Sequence, residues 1–483
     1  MDVTLAWMSH FVTCDTVTRD TPPRPQVNTG LYIATAAAPP YYVIASHFEP
    51  TDARRAFPCM DEPALKAVFN ISVVKPADAP IVLSNMPLAA RSGPPDRELW
   101  NFAPAGTGVA MSTYLVTIVI GNFTCTTATL PPPPPGTLPP SIQTPVIRVY
   151  TVPGAQPQAS VALHVARAAI DRMASLLLSS FPLPKLDLVA IPDYPSGATE
   201  HWGLVTFRET TLLLDPTASA ADVQRVATVV AHEVAHSWFG NLVTMPWWTE
   251  LWLNEGFASF WEYEGVQAAY AGWGLWAVMP VADTQRAMAI DLLASALPLI
   301  QASVRSDNEM HAAFSTTTYS KGAAVARTWS LALGGRPYNP VQANSSFLRG
   351  TAAYLSKFAF GIASTLDLVD CLCDAAQGEY TPPPPPSAAD CRGDLMQWAA
   401  LAGVPLLSVS QHPITPPPAP FGTVTRFSSN GLGQGGWRLP LQGAGAAITQ
   451  VGGGSVVALP SISPAFDPTS AAPLVTANPG CSG

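Results

Sequence analysis

The run Val229-Val230-Ala231-His232-Glu233-Val234-Ala235-His236 sets two histidines four residues apart in a chain that has only eight. At about 100° per residue, two side chains so spaced leave one face of a helix together. Val226, Val229, Val230 and Val234 add an apolar stripe that makes the segment helical in its own right. Both imidazoles can then reach one metal ion, and Glu233 beside the first can hold a water against it. Catalytic zinc usually takes three protein ligands and leaves a fourth position to water. Glu255, in Trp252-Leu253-Asn254-Glu255-Gly256, is the natural third. An ordinary amphipathic helix with two solvated or core histidines needs neither Glu233 nor the Asn-Glu-Gly downstream.

The rest of the chain bounds what surrounds this motif. Its 483 residues allow two to four domains, each with a core. A net charge of −9, spread without long runs, suggests neither a nucleic-acid partner nor an anionic membrane surface. The prolines number 51, and residues 131–135 and 382–386 are rigid, extended inserts. Seven cysteines (14, 59, 125, 371, 373, 391 and 481) form no C-x-x-C pair, and the odd count argues against a complete disulfide framework. Sequons occur at Asn70, Asn122 and Asn344, but no signal peptide opens the chain. No apolar run approaches the ~18 residues of a membrane span; residues 114–120 come nearest and read as a strand. A cytoplasmic location is expected. Residues 71–74, 146–150 and 186–191 are also predicted strands, residues 161–180 and 282–297 are predicted helical, and residues 347–373 read as two helices.

Residues 232–264 resemble the zinc aminopeptidases of the aminopeptidase N type, gluzincin metallopeptidases that include the puromycin-sensitive and leukotriene-hydrolysing enzymes. The family pattern is H-E-x-x-H, eighteen residues, then Glu in W-L-N-E-G-F-A. This chain has the eighteen intervening residues and reads WLNEGFASFWEY, with WFGNLVTMPWW between also matching. Residues 47–69, HFEPTDARRAFPCMDEPALKAVF, are similar to the family's T-Q-F-E-P-x-x-A-R-x-A-F-P-C-x-D-E-P signature, with His47 where the family has Gln. LSNMP and MSTYLV follow in the family's order. Gly197-Ala198-Thr199-Glu200-His201 stands on G-A-M-E-N, with Thr199 for Met and His201 for Asn. Tyr319-Ser320-Lys321-Gly322-Ala323 stands on Y-x-K-G-A. Gln397-Trp398, Gly403-Val404-Pro405 and Trp437-Arg438-Leu439-Pro440 match the family's small β-sandwich.

The resemblance implies an α+β multidomain fold: a partial N-terminal β-saddle domain over 1–151, a thermolysin-like zinc catalytic domain over 152–402, and a partial β-sandwich with a low-complexity tail over 403–483. It implies a chain shortened at its N-terminus, since the family has roughly a hundred residues ahead of Gly30, and without the C-terminal helical-repeat domain. The implied activity is zinc-dependent removal of N-terminal residues from peptides, with one Zn2+ per chain. His232, His236 and Glu255 hold the metal, Glu233 is the general base, and Tyr319 faces the scissile carbonyl. Glu200, helped by Glu49, binds the free amino terminus, with Gly197 and Ala198 beside it on the substrate. His201, if within reach of Glu200, is expected to protonate near pH 6.5 and weaken amine binding in acid. Two other functions share the zinc set. Epoxide hydrolases of the leukotriene type carry G-G-M-E-N rather than Gly197-Ala198. A catalytically weakened scaffold or binding member usually loses a zinc ligand or the base, and here all four residues remain.

Overall fold

The computed structural model describes residues 2–4, 28–35, 42–77, 79–103, 109–129, 145–336, 338–377 and 388–403, and the strand segments 405–413, 423–431, 441–443, 446–448 and 456–458. Both proline inserts, Val404, residues 437–440, Cys14 and Cys481 lie outside them. Two compact units divide the chain: residues 1–275, 303–314 and 355–364 form the first, and residues 276–302, 315–354 and 365–483 the second.

The first unit is β-rich at its start. Strands β1 (Asp2–Thr4), β2 (Gly30–Thr35), β3 (Tyr42–His47), β4 (Asn70–Val74), β5 (Ile81–Ser84), β6 (Leu88–Ser92), β7 (Leu99–Phe102) and β8 (Ile118–Gly121) build two four-stranded sheets. Their orders are β1-β4-β7-β6 and β2-β3-β8-β5. A five-stranded sheet follows from β9 (Thr124–Thr129), β10 (Val146–Thr151), β11 (Lys185–Ile191), β12 (Ala198–Thr199) and β13 (Leu204–Arg208), ordered β12-β13-β11-β10-β9. Its centre is parallel and its two edge strands antiparallel. All seven residues of β11 are buried, as a parallel strand covered on both faces requires. Tyr32, Val43 and Val119 of the earlier sheet share one core cluster with Val189, Ile191 and Leu204.

The three longest helices of this unit are α1 (Ser160–Leu176), α2 (Ala220–Ala235) and α3 (Trp252–Ala269). The Ser219 hydroxyl accepts from the Asp222 N–H and the Asp222 carboxylate accepts from the Ser219 N–H, a reciprocal cap that starts α2. Val226, Val230 and Val234 bury the stripe read from the sequence. Gly265 lets α3 lie close: a Cβ there would come within 2.9 Å of Ala231 Cβ on α2 and 3.1 Å of Ala169 Cβ on α1. A larger residue would push apart the helices that carry the histidine pair and Glu255.

The second unit is helical where its side chains are described, with α4 (Gln285–Asp291), α5 (Gly322–Ala332), α6 (Ser346–Lys357), α7 (Thr365–Ala376) and α8 (Ala388–Ala400). Two π-helical turns, Pro280–Thr284 and Thr317–Lys321, precede α4 and α5. Lys321 Nζ lies 2.7 Å from Asp291 Oδ2, a buried ion pair tying the second turn to the end of α4. Further along, β14 (Pro405–Pro413), β15 (Thr423–Gly431) and β18 (Val456–Ala458) form a three-stranded antiparallel sheet, and β16 (Leu441–Gly443) pairs with β17 (Ala446–Ile448).

Two expectations need correction. Residues 114–120 are not one strand: Thr113–Leu115 is a 3-10 turn, and pairing begins at Ile118. The run is apolar because Tyr114 and Leu115 are buried, not because they pair. The helix expected over 282–297 stops at Asp291. Leu292, Leu293 and Leu297 are 49–57% exposed, so no buried face rewards a further turn. Cys373 bonds Cys391 and ties α7 to α8, a pairing that cysteine count and spacing did not reveal. No helix among the described residues is long and apolar enough to cross a membrane.

Candidate active site

His232 lies in the last turn of α2 and His236 caps it, so both rings leave the helix on one side, with centroids 4.7 Å apart. Glu255 sits in the first turn of α3. Its Oε2 lies 3.2 Å from His232 Nε2 and 3.4 Å from His236 Nε2. One ligand atom from each of the three falls within 4.8 Å of the others. The Nδ1 atoms face away and are held. His232 Nδ1 is 2.8 Å from Glu262 Oε2, and His236 Nδ1 donates to the Phe239 carbonyl at 3.0 Å. Holding Nδ1 in each ring turns Nε2 to the shared point, an arrangement common around ligating histidines. Glu262 is two turns after Glu255 on the same face of α3, which lets one helix address both nitrogens of His232.

The chain beyond α2 keeps this geometry tight. Gly240 adopts φ +118°, and a Cβ there would lie 3.3 Å from His236 Nδ1 and 3.2 Å from Asn254 Nδ2. Asn241 then donates through Nδ2 to the Glu200 carbonyl at 2.8 Å, while its N–H donates to the His236 carbonyl at 3.0 Å. Asn241 thus couples the end of the histidine helix to the edge strand that leads into Glu200. Lys66 Nζ donates to the carbonyls of Asn241 and Leu242 at 3.0 and 3.3 Å.

Glu200 follows β12, the edge strand of the five-stranded sheet. Its Oε1 is 3.9 Å from His236 Nδ1, and the residue is 3% exposed, where an isolated glutamate would be solvated. Glu49, just past β3, is 8% exposed. Glu49, Glu200 and Glu255 bring one oxygen each within 4.8 Å of one another, as do ligand atoms of Glu200, Glu233 and His236. Burial and then repulsion from Glu200 raise the Glu49 carboxyl well above its usual range. Burial likewise raises Glu233, against the pull of His232 and His236. Glu255 goes the other way: burial opposes ionisation, but His236 and His232 hold its carboxyl at about 2. Neighbouring carboxyls pushed apart in this way suit different tasks, one that carries a proton and one that stays ionised.

Gly197 is exposed, and its carbonyl accepts from the Arg208 N–H and the Thr211 hydroxyl. Ala198 pairs with Phe207 of β13, and its carbonyl accepts from the Ser196 hydroxyl. Thr199 accepts from the Tyr194 hydroxyl at 2.6 Å. His201 is fully buried. Its Nδ1 is 3.1 Å from Thr206 Oγ1, and because that hydroxyl donates to Tyr194, Nδ1 carries the proton and donates. Burial, with His47 nearby, drives the His201 pKa well below its usual value. The expectation that His201 protonates near pH 6.5 against Glu200 is therefore corrected: it is a neutral strut between β12 and β13. Tyr319 is half-buried in the second unit, within the π-helical turn Thr317–Lys321.

Sequence reasoning missed Glu262, Asn241 and the Phe239 carbonyl. A signal for Glu262 was present in its spacing, seven residues after Glu255 on a helix.

Comparisons with known proteins agree with this architecture. Residues 161–381 match the Peptidase family M1 domain, and residues 28–115 match the Peptidase M1 N-terminal domain. Aminopeptidase M1-B of Oryza sativa subsp. japonica is 40% identical over 326 residues, which is 67% of this chain and 34% of that protein. Aminopeptidase N of Homo sapiens is 35% identical over 372 residues, 76% of this chain and 36% of its own length. The alanine/arginine aminopeptidase of Saccharomyces cerevisiae is 36% identical over 372 residues, 77% of this chain and 39% of its own length. The chain therefore spans little more than a third of the relatives it matches. A β-rich segment and a largely helical segment that carries the His-His-Glu cluster, each matched by its own domain description, place the chain in peptidase family M1.

Proposed function

We propose that the chain is a zinc aminopeptidase that removes N-terminal residues from peptides. The observation that carries this reading is the meeting of two groups: the His232, His236 and Glu255 ligand set, and the buried carboxylates Glu200 and Glu49 beside it. Two imidazole nitrogens and one carboxylate oxygen, each imidazole held at its other nitrogen, make a donor set that suits zinc. When bound there, zinc supplies Lewis acidity to the scissile carbonyl and to the attacking water.

The chain's own residues do the rest. Glu233 takes the proton of the attacking water and passes it to the leaving amine, a task its raised carboxyl pKa suits. Glu200, with Glu49, holds the substrate ammonium through charge-assisted hydrogen bonds, about twice as strong as neutral ones. That anchor sets a free amino terminus next to the bond being cut, which makes the activity an exopeptidase. Gly197 and Ala198 flank it along the substrate backbone. Tyr319 donates its hydroxyl to the oxyanion as charge develops. The N-terminal sheets are read as a β-saddle domain over 1–151, with the catalytic domain over 152–402 thermolysin-like and the strands over 403–483 a β-sandwich remnant.

The test is hydrolysis of aminoacyl fluorogenic substrates beside their N-acetylated counterparts. Cleavage of the free-amino forms alone, abolished by a chelator and restored by zinc, supports the reading. Equal cleavage of both forms removes the amine anchor from it.

A further inference from the structure

Glu255 belongs to two convergences. With His232 and His236 it makes the nitrogen-rich group; with Glu49 and Glu200 it makes an all-oxygen group of the same spread, 4.8 Å or less. The three carboxylates of the second group are 8%, 3% and 3% exposed. Glu49 Oε1 and Glu200 Oε1 are buried without a hydrogen-bond partner, as is Glu233 Oε2 next to them. Leaving a buried carboxyl oxygen unpaired is costly, and here three such oxygens belong to residues whose ligand atoms converge. Glu49, Glu200 and Glu255 bring carboxyl oxygens together beside the two imidazoles.

We infer that Glu49, Glu200 and Glu255 form a second divalent-cation site that overlaps the amine anchor, so that a second cation and a substrate amino terminus exclude each other. Glu255 turns Oε2 to both imidazoles, and a carboxylate has a second oxygen to offer. Oxygen-only donors suit hard ions such as Mg2+, Ca2+ and Mn2+, whereas the mixed nitrogen and oxygen group suits zinc. The two groups therefore sort metals by chemistry. The consequence is regulation by divalent cations that compete with the substrate and leave its turnover unchanged. The inference rests on the metallo-aminopeptidase reading of the site.

Zinc-loaded protein titrated with Mn2+ tests it, because Mn2+ is too weak a competitor to displace zinc from nitrogen ligands. Loss of the free Mn2+ electron paramagnetic resonance signal should saturate at one Mn2+ per chain. Apparent KM for a free-amino substrate should rise about tenfold when free Mn2+ is about ten times its dissociation constant, with kcat unchanged. Phenethylamine, which cannot be hydrolysed, should release the Mn2+, and its N-acetyl derivative should not. Glu49→Gln should keep its zinc and weaken Mn2+ binding tenfold or more; if that variant does not fold, the displacement on the wild type decides. Absence of saturable Mn2+ binding, or bound Mn2+ that the amine does not release, overturns the inference. Failure to load one zinc per chain overturns the underlying reading of the site instead.

Discussion

Glu262 Oε2 sits 2.8 Å from His232 Nδ1, while Glu255 Oε2, one heptad earlier on the same helix, sits 3.2 Å from His232 Nε2. One helix thus meets both nitrogens of one imidazole. Glu262 holds the ring at Nδ1, and Glu255 lies with both histidines in the candidate metal-binding group. Glu262→Gln should lower zinc affinity about 10- to 100-fold with the fold intact. Competition against a chelator of known affinity, with circular dichroism as the fold check, measures it. Unchanged affinity would leave Glu262 as a packing residue.

Glu233 is the one member of the motif assigned to proton transfer and not to the metal. Glu233→Gln should retain one zinc per chain and lose about 10²- to 10⁴-fold in kcat. Metal analysis and steady-state kinetics on the same preparation check both halves. A variant that keeps its turnover would reassign the base.

Tyr319→Phe removes only a hydroxyl. If that hydroxyl acts on developing oxyanion charge, kcat should drop about 10²- to 10³-fold while KM moves little. A matched rise in KM and fall in kcat would point to packing within its π-helical turn.

His47 gives the chain an acid liability. Burial, against the charge of Asp52 and with His311 adding to the effect, lowers its pKa to about 4. Between about pH 6.5 and about pH 4 the unfolded chain holds a proton that the folded chain does not, so stability falls as pH falls through that window, by at most about 1.4 kcal/mol per pH unit. His47→Gln should lose less stability than the wild type between about pH 7 and about pH 5. Urea midpoints at the two pH values check it, and parallel losses would show that His47 already titrates normally.

The sequence carried the site far better than its surroundings. The grouping of His232 with His236 was legible because a helix repeats every 3.6 residues, and Glu255 was sought as a candidate third ligand; the structure brings the three together. What lay across chain pairings was hidden. His201 finds Thr206 only because β12 folds back on β13, so its neighbour in sequence, Glu200, was the wrong partner to weigh. Cys373 finds Cys391 only because α7 and α8 come together. Residues 114–120 show a different limit: an apolar run reports that a segment is buried, and a buried 3-10 turn writes the same composition as a strand.

The central claim is that one metal, held by His232, His236 and Glu255, and one carboxylate anchor together make an aminopeptidase. The most direct measurement is a zinc titration of metal-stripped protein, followed by the rate on a free-amino aminoacyl substrate and on its N-acetylated form. The account expects the free-amino rate to rise linearly to one zinc per chain and then stop rising, with the N-acetylated form inert throughout. Activity that persists without metal, or that treats the two substrates alike, would contradict it.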